Sequence, residues 1–258
     1  MKRAGAILAV LAATAVAAGE ARAEKLTVAL STEEIRIDSN FTGASVTVFG
    51  VIERDAITVS RASPYEVAVT LRGQPETVVA RRKDPILGIW INRAAETFVD
   101  VPSFYAVVTS KPLEEISTAQ LLTRFGVGLD YIPFSIAGET VADTAGNDAF
   151  REAFVRLKEQ SGLYSEDVGG VTSMGEAVFR ATIGIPANVP TGRYTLTVHL
   201  FSGDALIAQA DESLEVIKTG FEQYMFTAAH ERAALYGLAC VALPLIAGWL
   251  AGVIFRRD

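Results

Sequence analysis

Reactive and metal-binding side chains are the scarcest parts of this 258-residue chain, which has one cysteine, Cys240, and two histidines, His199 and His230. A single thiol excludes an intramolecular disulfide and cysteine-ligated zinc. Because Cys240 lies in an apolar run, it also excludes a cysteine nucleophile outside that run. Cys240 itself reads as a small residue at a packed helix position. Neither histidine marks a site. His199 alternates with apolar neighbours in "GRYTLTVHLF", which predicts a solvated strand position. His230 opens "HERAA", half of an H-E-x-x-H zinc-protease motif with Ala234 where the second histidine belongs.

An excess of positive charge is missing too. The chain holds 23 basic and 30 acidic residues; the first 23 positions hold three basic and one acidic, so the remainder carries 20 against 29, a net −9. A body of that sign repels polyanions, and nucleic-acid binding is disfavoured because its affinity comes largely from cations on phosphate. No G-x-S-x-G nucleophile elbow occurs. "GVGLDY" has Tyr131 where a dinucleotide loop needs glycine, and it follows a helix pattern instead of a strand. The acidic pairs Glu33-Glu34, Glu114-Glu115 and Asp211-Glu212 are adjacent, so on a strand their members point to opposite faces. "DTAGND", Asp143 to Asp148, lacks the spacing and final glutamate of a calcium loop and reads as helix capping. The sequence thus offers no catalytic residue, metal ligand or cofactor site, and the expectation is a protein that is not an enzyme. A carboxylate hydrolase is the weakest alternative, since it needs two carboxylates brought into one cleft.

What the chain does have is an apolar run at each end. Lys2 and Arg3 precede the apolar stretch Ile7 to Ala18, and Ala21-Arg22-Ala23 gives a small-x-small cleavage pattern; residues 1–23 read as a signal peptide. Leu235 to Phe255 is uncharged over a length that crosses the ~30 Å hydrocarbon layer as a helix. Arg256 and Arg257 follow it, and basic residues at a helix end stay on the cytoplasmic side. The expected topology is a single-pass protein of the inner membrane, with its body outside the cytoplasm and residues 256–258 as a cytoplasmic tail. Gly248 and Gly252, four residues apart, form a candidate helix-packing face. Pro244 is a candidate kink. Residues 221–234, in "GFEQYMFTAAHER" and just beyond, read as a juxtamembrane helix.

Between the ends, residues 24–111 alternate with period two in "LTVAL", "IRI", "ASVTVFGVI", "AITV", "YEVAVTLRG", "TVVARR", "ILGIWI" and "FYAVVT". Branched and aromatic residues at that period predict half-buried strands, and many short strands between turns predict an immunoglobulin-like β-sandwich. Residues 112–220 are expected to form a second such unit with a small helical insertion. In "PLEEISTAQLLTRFG", proline and glycine bracket a helix, with Ser117 and Gln120 at capping-box spacing. "NDAFREAFVRLKEQSG" puts Phe150, Ala153, Phe154 and Leu157 on one stripe, with Asn147 as cap and Gly162 as stop. Strands return in "GEAVFRATIGIP" and "GRYTLTVHLF", and Ser202-Gly203-Asp204 turns into "ALIAQA".

The most unusual polar cluster is "ARRKDP". Alternation places Arg81 and Lys83 on one strand face and Arg82 on the other. With Trp90 and Tyr105, Arg81 and Lys83 are the candidate contacts for a partner or a small anion; the competing reading is an edge strand kept soluble by charge. "FTGASVTVFG", "VVARRKDPILGIWIN", "VPSFYAVVTSKPL" and the C-terminal anchor occur in the same order in a family of alphaproteobacterial transmembrane proteins, which the whole chain resembles. The resemblance implies a Gram-negative inner membrane and a periplasmic body, and no activity. The function expected is that of an accessory protein binding another membrane protein such as a transporter or assembly complex, or a second copy through the anchor. The alternative is a periplasmic module that binds or senses a small anion.

Overall fold

The computed structural model describes residues 24–53, 64–86, 88–137, 149–175 and 177–254. The signal peptide, the "AITV" strand, Asn147 with the "DTAGND" segment, and Arg256 and Arg257 lie outside the described residues. The fold is mainly β. One sheet has four antiparallel strands in the order β1 (Lys25–Leu30), β3 (Gly43–Glu53), β11 (Val178–Pro186) and β10 (Val171–Ser173). The second has six: β2 (Glu34–Ile37), β13 (Ala205–Lys218), β12 (Gly192–Ser202), β4 (Glu66–Arg72), β7 (Tyr105–Thr109) and β9 (Tyr164–Val168). Its two edge pairings, β2 with β13 and β9 with β7, are parallel. The third is β5 (Pro75–Ile86), β6 (Ile89–Pro102) and β8 (Ser135–Ile136).

The first two sheets face each other as the period-two patterns require. Phe179, Ala181, Ile183 and Ile185 of β11 meet Tyr194, Leu196, Val198 and Leu200 of β12 in one core, while Arg180 and Thr182 point to solvent. Tyr194 closes its corner by donating from its hydroxyl to the Pro190 carbonyl at 2.5 Å, a bond from strand to preceding turn typical of immunoglobulin-like sandwiches. At the β12–β13 turn, Gly203 and Asp204 both have positive φ, 55° and 64°, as a two-residue hairpin of matching twist demands.

In the six-stranded sheet, β4, β7 and the second half of β12 are buried on both sides. The outer face of this sheet supplies Ala68, Tyr105, Val107, Tyr164 and Phe201 to a second core. That core is roofed by α1 (Leu113–Ile116), α2 (Ala119–Phe125), a 3₁₀ turn at Leu129–Tyr131, and α3 (Ala149–Gln160), with Phe98 and Val101 of β6. The helices thus cover a sheet, as their apolar stripes predicted. Phe154 is buried against Phe98, Phe134 and Tyr164, while Leu157 at the end of the stripe is exposed.

Four expectations need correction. Residues 24–111 and 112–220 do not build separate sandwiches, because each large sheet takes strands from both segments. Alternation specifies which face of a strand is buried and says nothing about which strand lies beside it. His199 is 2% exposed, because its side of β12 is roofed by α2 instead of open to water. Ser117 caps no helix N-terminus: it is the extended C-cap of α1, Thr118 precedes α2, and the Ser117 hydroxyl donates to the Asp204 carbonyl at 3.0 Å. "ILGIWI" is no single strand, since β5 ends at Ile86, β6 begins at Ile89, and Gly88 turns between them with φ of 83°.

Gly50 of β3 lies directly opposite Phe179, and a Cβ there would sit 2.0 Å from the ring. Gly50→Val is therefore expected to lower unfolding free energy by about 1–3 kcal/mol through overpacking. Gly184→Ala on β11, where nothing lies within 4 Å, should stay within about 0.5 kcal/mol. Denaturant titration of the detergent-solubilised chain measures both.

Candidate functional site

The ladder joining β4 to β7 does not stop at the sheet. Arg72 pairs with Tyr105, Gly73 N–H donates to Phe104 O at 2.8 Å, Ser103 N–H donates to Gln74 O at 2.9 Å, and Pro75 pairs with Pro102. From there β5 and β6 run on together as a two-stranded ribbon to Ile86 and Ile89. Two irregularities bend its path, one at Asp100 with φ of 59° and one where Arg93 is extra between the Arg82–Ala94 and Lys83–Asn92 pairs.

Register decides which side chains share a face. Arg81 pairs with Ala95, Lys83 with Asn92 and Pro85 with Trp90, so Arg81, Lys83 and Trp90 stand on one face. Three of the four candidate contacts are thereby brought together and are exposed, Trp90 by 67%. Arg82 lies on the other face, 3.6 Å from Asp84 and with its guanidinium 6.0 Å from the Phe150 ring. A groove of about 310 Å³ between β5 and α3 is lined by Val78, Ala80, Phe150 and Ala153 together with Arg81 and Arg82. The ribbon is also the edge of its sheet, so the charges guard an edge and line an exposed surface at once.

The ribbon's apolar tip was legible only in part. Ile86, Ile89 and Ile91 are exposed beside Trp90. Branched residues on both sides of a glycine have the pattern of one strand, yet a glycine in such a run is also a turn signal, and a turn there puts every one of them at a tip.

Tyr105 is not a contact residue. It is fully buried at the ribbon's root, where its hydroxyl donates to Gly126 O and accepts from Gly128 N–H, each at 2.9 Å. Arg72 reaches the same place and donates through Nη2 to Phe125 O and Gly126 O at 2.6 Å, its guanidinium 5.7 Å from the Tyr105 ring. These groups satisfy carbonyls left over at the C-terminus of α2, where a cation is also favoured by the helix dipole, and Gly126 at φ of 61° ends the helix. Burial pushes the Tyr105 hydroxyl up to about 12, against the opposing pull of Arg72. On the ribbon's other flank Lys158 of α3 donates to Glu76 Oε1 at 2.7 Å and Ser103 O at 3.3 Å. Arg72 and Lys158 are thus positioning residues for the ribbon, a role that spacing along the chain does not reveal.

The anchor matches its expected span. Helix α4 (Phe221–Glu231) leads into α5 (Ala233–Ile254), 22 residues of mean hydropathy 2.1 over its most apolar window, none of it buried against the body. The break falls at Arg232, with φ of −128°. Pro244 lies inside α5, and a Cβ at Gly248 or Gly252 would meet nothing within 4 Å, so this face is open to a neighbour. Among the described residues no group of three or more His, Cys, Asp or Glu side chains is placed to hold a metal ion.

A family described as "Putative transmembrane protein (Alph_Pro_TM)" matches residues 25–257. The chain belongs to this family. No curated protein matches it. Among solved structures it is similar to AggA, the major subunit of aggregative adherence fimbriae type I from Escherichia coli, at 12% identity over 77% of this chain and 97% of that one, with a TM-score of 0.26. It is also similar to HBP35 of Porphyromonas gingivalis, at 10% identity over 76% of this chain and 42% of that one, with the same TM-score of 0.26. Likenesses that distant carry no argument. The family supports a membrane protein with a β-rich body.

Two measurements test the buried polar groups. Tyr105→Phe leaves the Gly128 N–H without its partner and is expected to lower stability by about 1–3 kcal/mol. Among the described residues His199 has no hydrogen-bond partner on either ring nitrogen, and burial, helped by the Arg72 charge and opposed by Asp211, pulls its pKa from 6.5 down to about 4. Above pH 6.5 it is neutral in both folded and unfolded chains. Between pH 6.5 and 4 the unfolded chain takes up a proton that the folded one refuses, so stability falls as pH drops, by up to about 3 kcal/mol. His199→Leu should remove that component, so that the stability of the variant relative to the parent rises toward acid pH.

Proposed function

We propose that this protein is a non-enzymatic accessory protein of the inner membrane, with its body in the periplasm and its C-terminus in the cytoplasm, and that it works by binding a polytopic membrane protein such as a transporter or assembly complex. One observation carries the reading: the ribbon and the anchor leave the body from the same end. β4 and β13 both run antiparallel to β12 and are therefore parallel to each other. The ribbon continues β4 beyond Arg72, and the anchor follows β13 beyond Lys218. The root of the ribbon stands beside this exit, since the Gln74 side chain lies over Gly192, which pairs with Val216. A rigid, exposed apolar projection on the membrane side of a tethered body is suited to a target held in the same membrane. Tethering raises its effective concentration.

The placement also supports a second reading, in which Arg81 and Lys83, on one face with Trp90, hold a small oxyanion. Calorimetry of the detergent-solubilised chain with phosphate and sulfate separates the two, since Arg81→Ala with Lys83→Ala should abolish any heat that belongs to such a site. For the main reading, mild extraction from native membranes is expected to recover a stoichiometric polytopic partner, and Gly248→Ile to weaken its recovery. Recovery of a lone monomer from both parent and variant contradicts it. A reporter active only in the cytoplasm should work when fused after Asp258 and fail when inserted in the β region.

A further inference from the structure

The geometry points to a second attachment to the membrane: the tip of the β5–β6 ribbon seats in the headgroup layer of an anionic bilayer, with Trp90, Ile86, Ile89 and Ile91 in the interface and Arg81, Lys83 and Arg93 over the phosphates. This rests on the reading that the ribbon side of the body faces the membrane.

Reach comes first. The anchor helix starts at Ala233, and only residues 219–232 separate it from the end of β13. With α4 upright at 1.5 Å per residue and its short linkers extended, that segment can hold the sandwich no more than about 25 Å above the bilayer. The ribbon leaves the same end with twelve residues in β5, a contour of about 36 Å at the rise of a strand. Its tip is therefore long enough to meet the surface even when tilted well away from the membrane normal.

The chemistry at the tip agrees. Trp90 and Ile89 are each 67% exposed, Ile91 43% and Ile86 40%, a concentration of large apolar side chains that the body does not cover. Tryptophan favours the headgroup level, where its ring is half solvated and its N–H finds a partner. Residues 81–93 carry four cations, Arg81, Arg82, Lys83 and Arg93, and one carboxylate, Asp84, which Arg82 pairs. This is a positive collar on a chain of net charge −7. An apolar wedge behind a basic collar is attracted to anionic lipid, while the acidic body is repelled from it, which keeps the contact local to the tip. A protein partner would answer the apolar tip equally well. It gives no reason for the positive collar to gather on a ribbon long enough to reach the headgroups.

The chain has two tryptophans, Trp90 and Trp249. In a Trp249→Phe background Trp90 becomes the sole reporter in full-length protein reconstituted into bilayers. In phosphatidylcholine containing phosphatidylglycerol, its emission should shift to the blue, gain protection from acrylamide, and be quenched by lipids brominated near the headgroup. Arg81→Glu with Lys83→Glu should cause loss of all three effects while leaving the anchor inserted. Acrylamide access as complete as in detergent overturns the lipid contact. Should protection appear in native membranes and be missing from these bilayers, the lipid assignment fails and docking on a membrane protein stands. Full access in both settings overturns both readings.

Discussion

The structure depends on a strand pair that has water on neither side. β4 and β7 lie inside a six-stranded sheet whose two faces are covered by different cores, one from the opposing sheet and one from the helices. With both faces dry, the backbone N–H and C=O groups of the pair must find their partners within the ladders, and this holds the register fixed. Because that ladder runs on through Gly73 and Gln74 into Pro75 and Pro102, the ribbon inherits its direction from the best-buried part of the protein. A projection rooted in this way behaves as part of the scaffold more than as a loop laid over it.

The polar groups at the root do related work. Arg72 and Tyr105, neighbours in the last pair of the β4–β7 ladder, both reach the end of α2 and satisfy its carbonyls. Lys158 ties α3 to Glu76 and Ser103 on the far flank. Each of these cations is held among aromatic rings, Arg72 over Tyr105 and Lys158 near Phe154 and Tyr164, so its stem packs while its head is bonded. The helices thereby roof the sheet and also fix the ribbon from two sides.

Membrane attachment then sets what this rigidity serves. An anchor that makes no use of the body's core can tilt and turn, and a single tether leaves orientation loose. On the reading proposed above, a stiff arm emerging from the same end of the sandwich limits that freedom. The acidic character of the rest of the chain fits such an arrangement, because it favours contact through the basic ribbon over contact through the flank.

Local chemistry was readable along the chain wherever one periodicity decides the outcome. The presence of the anchor, the inward faces of β11 and β12, the stop of α2 at Gly126 and the face shared by Arg81 and Lys83 all follow from spacing alone. Tertiary structure decided whatever depends on a neighbour from elsewhere in the chain. It interleaved the two halves into common sheets, buried His199 and Tyr105 under helices distant in sequence, and turned "ILGIWI" into a tip. The physical reason is that a strand's period of two states that one side is dry without stating what dries it. When a second layer covers the other side as well, residues whose alternation marks them for solvent become core.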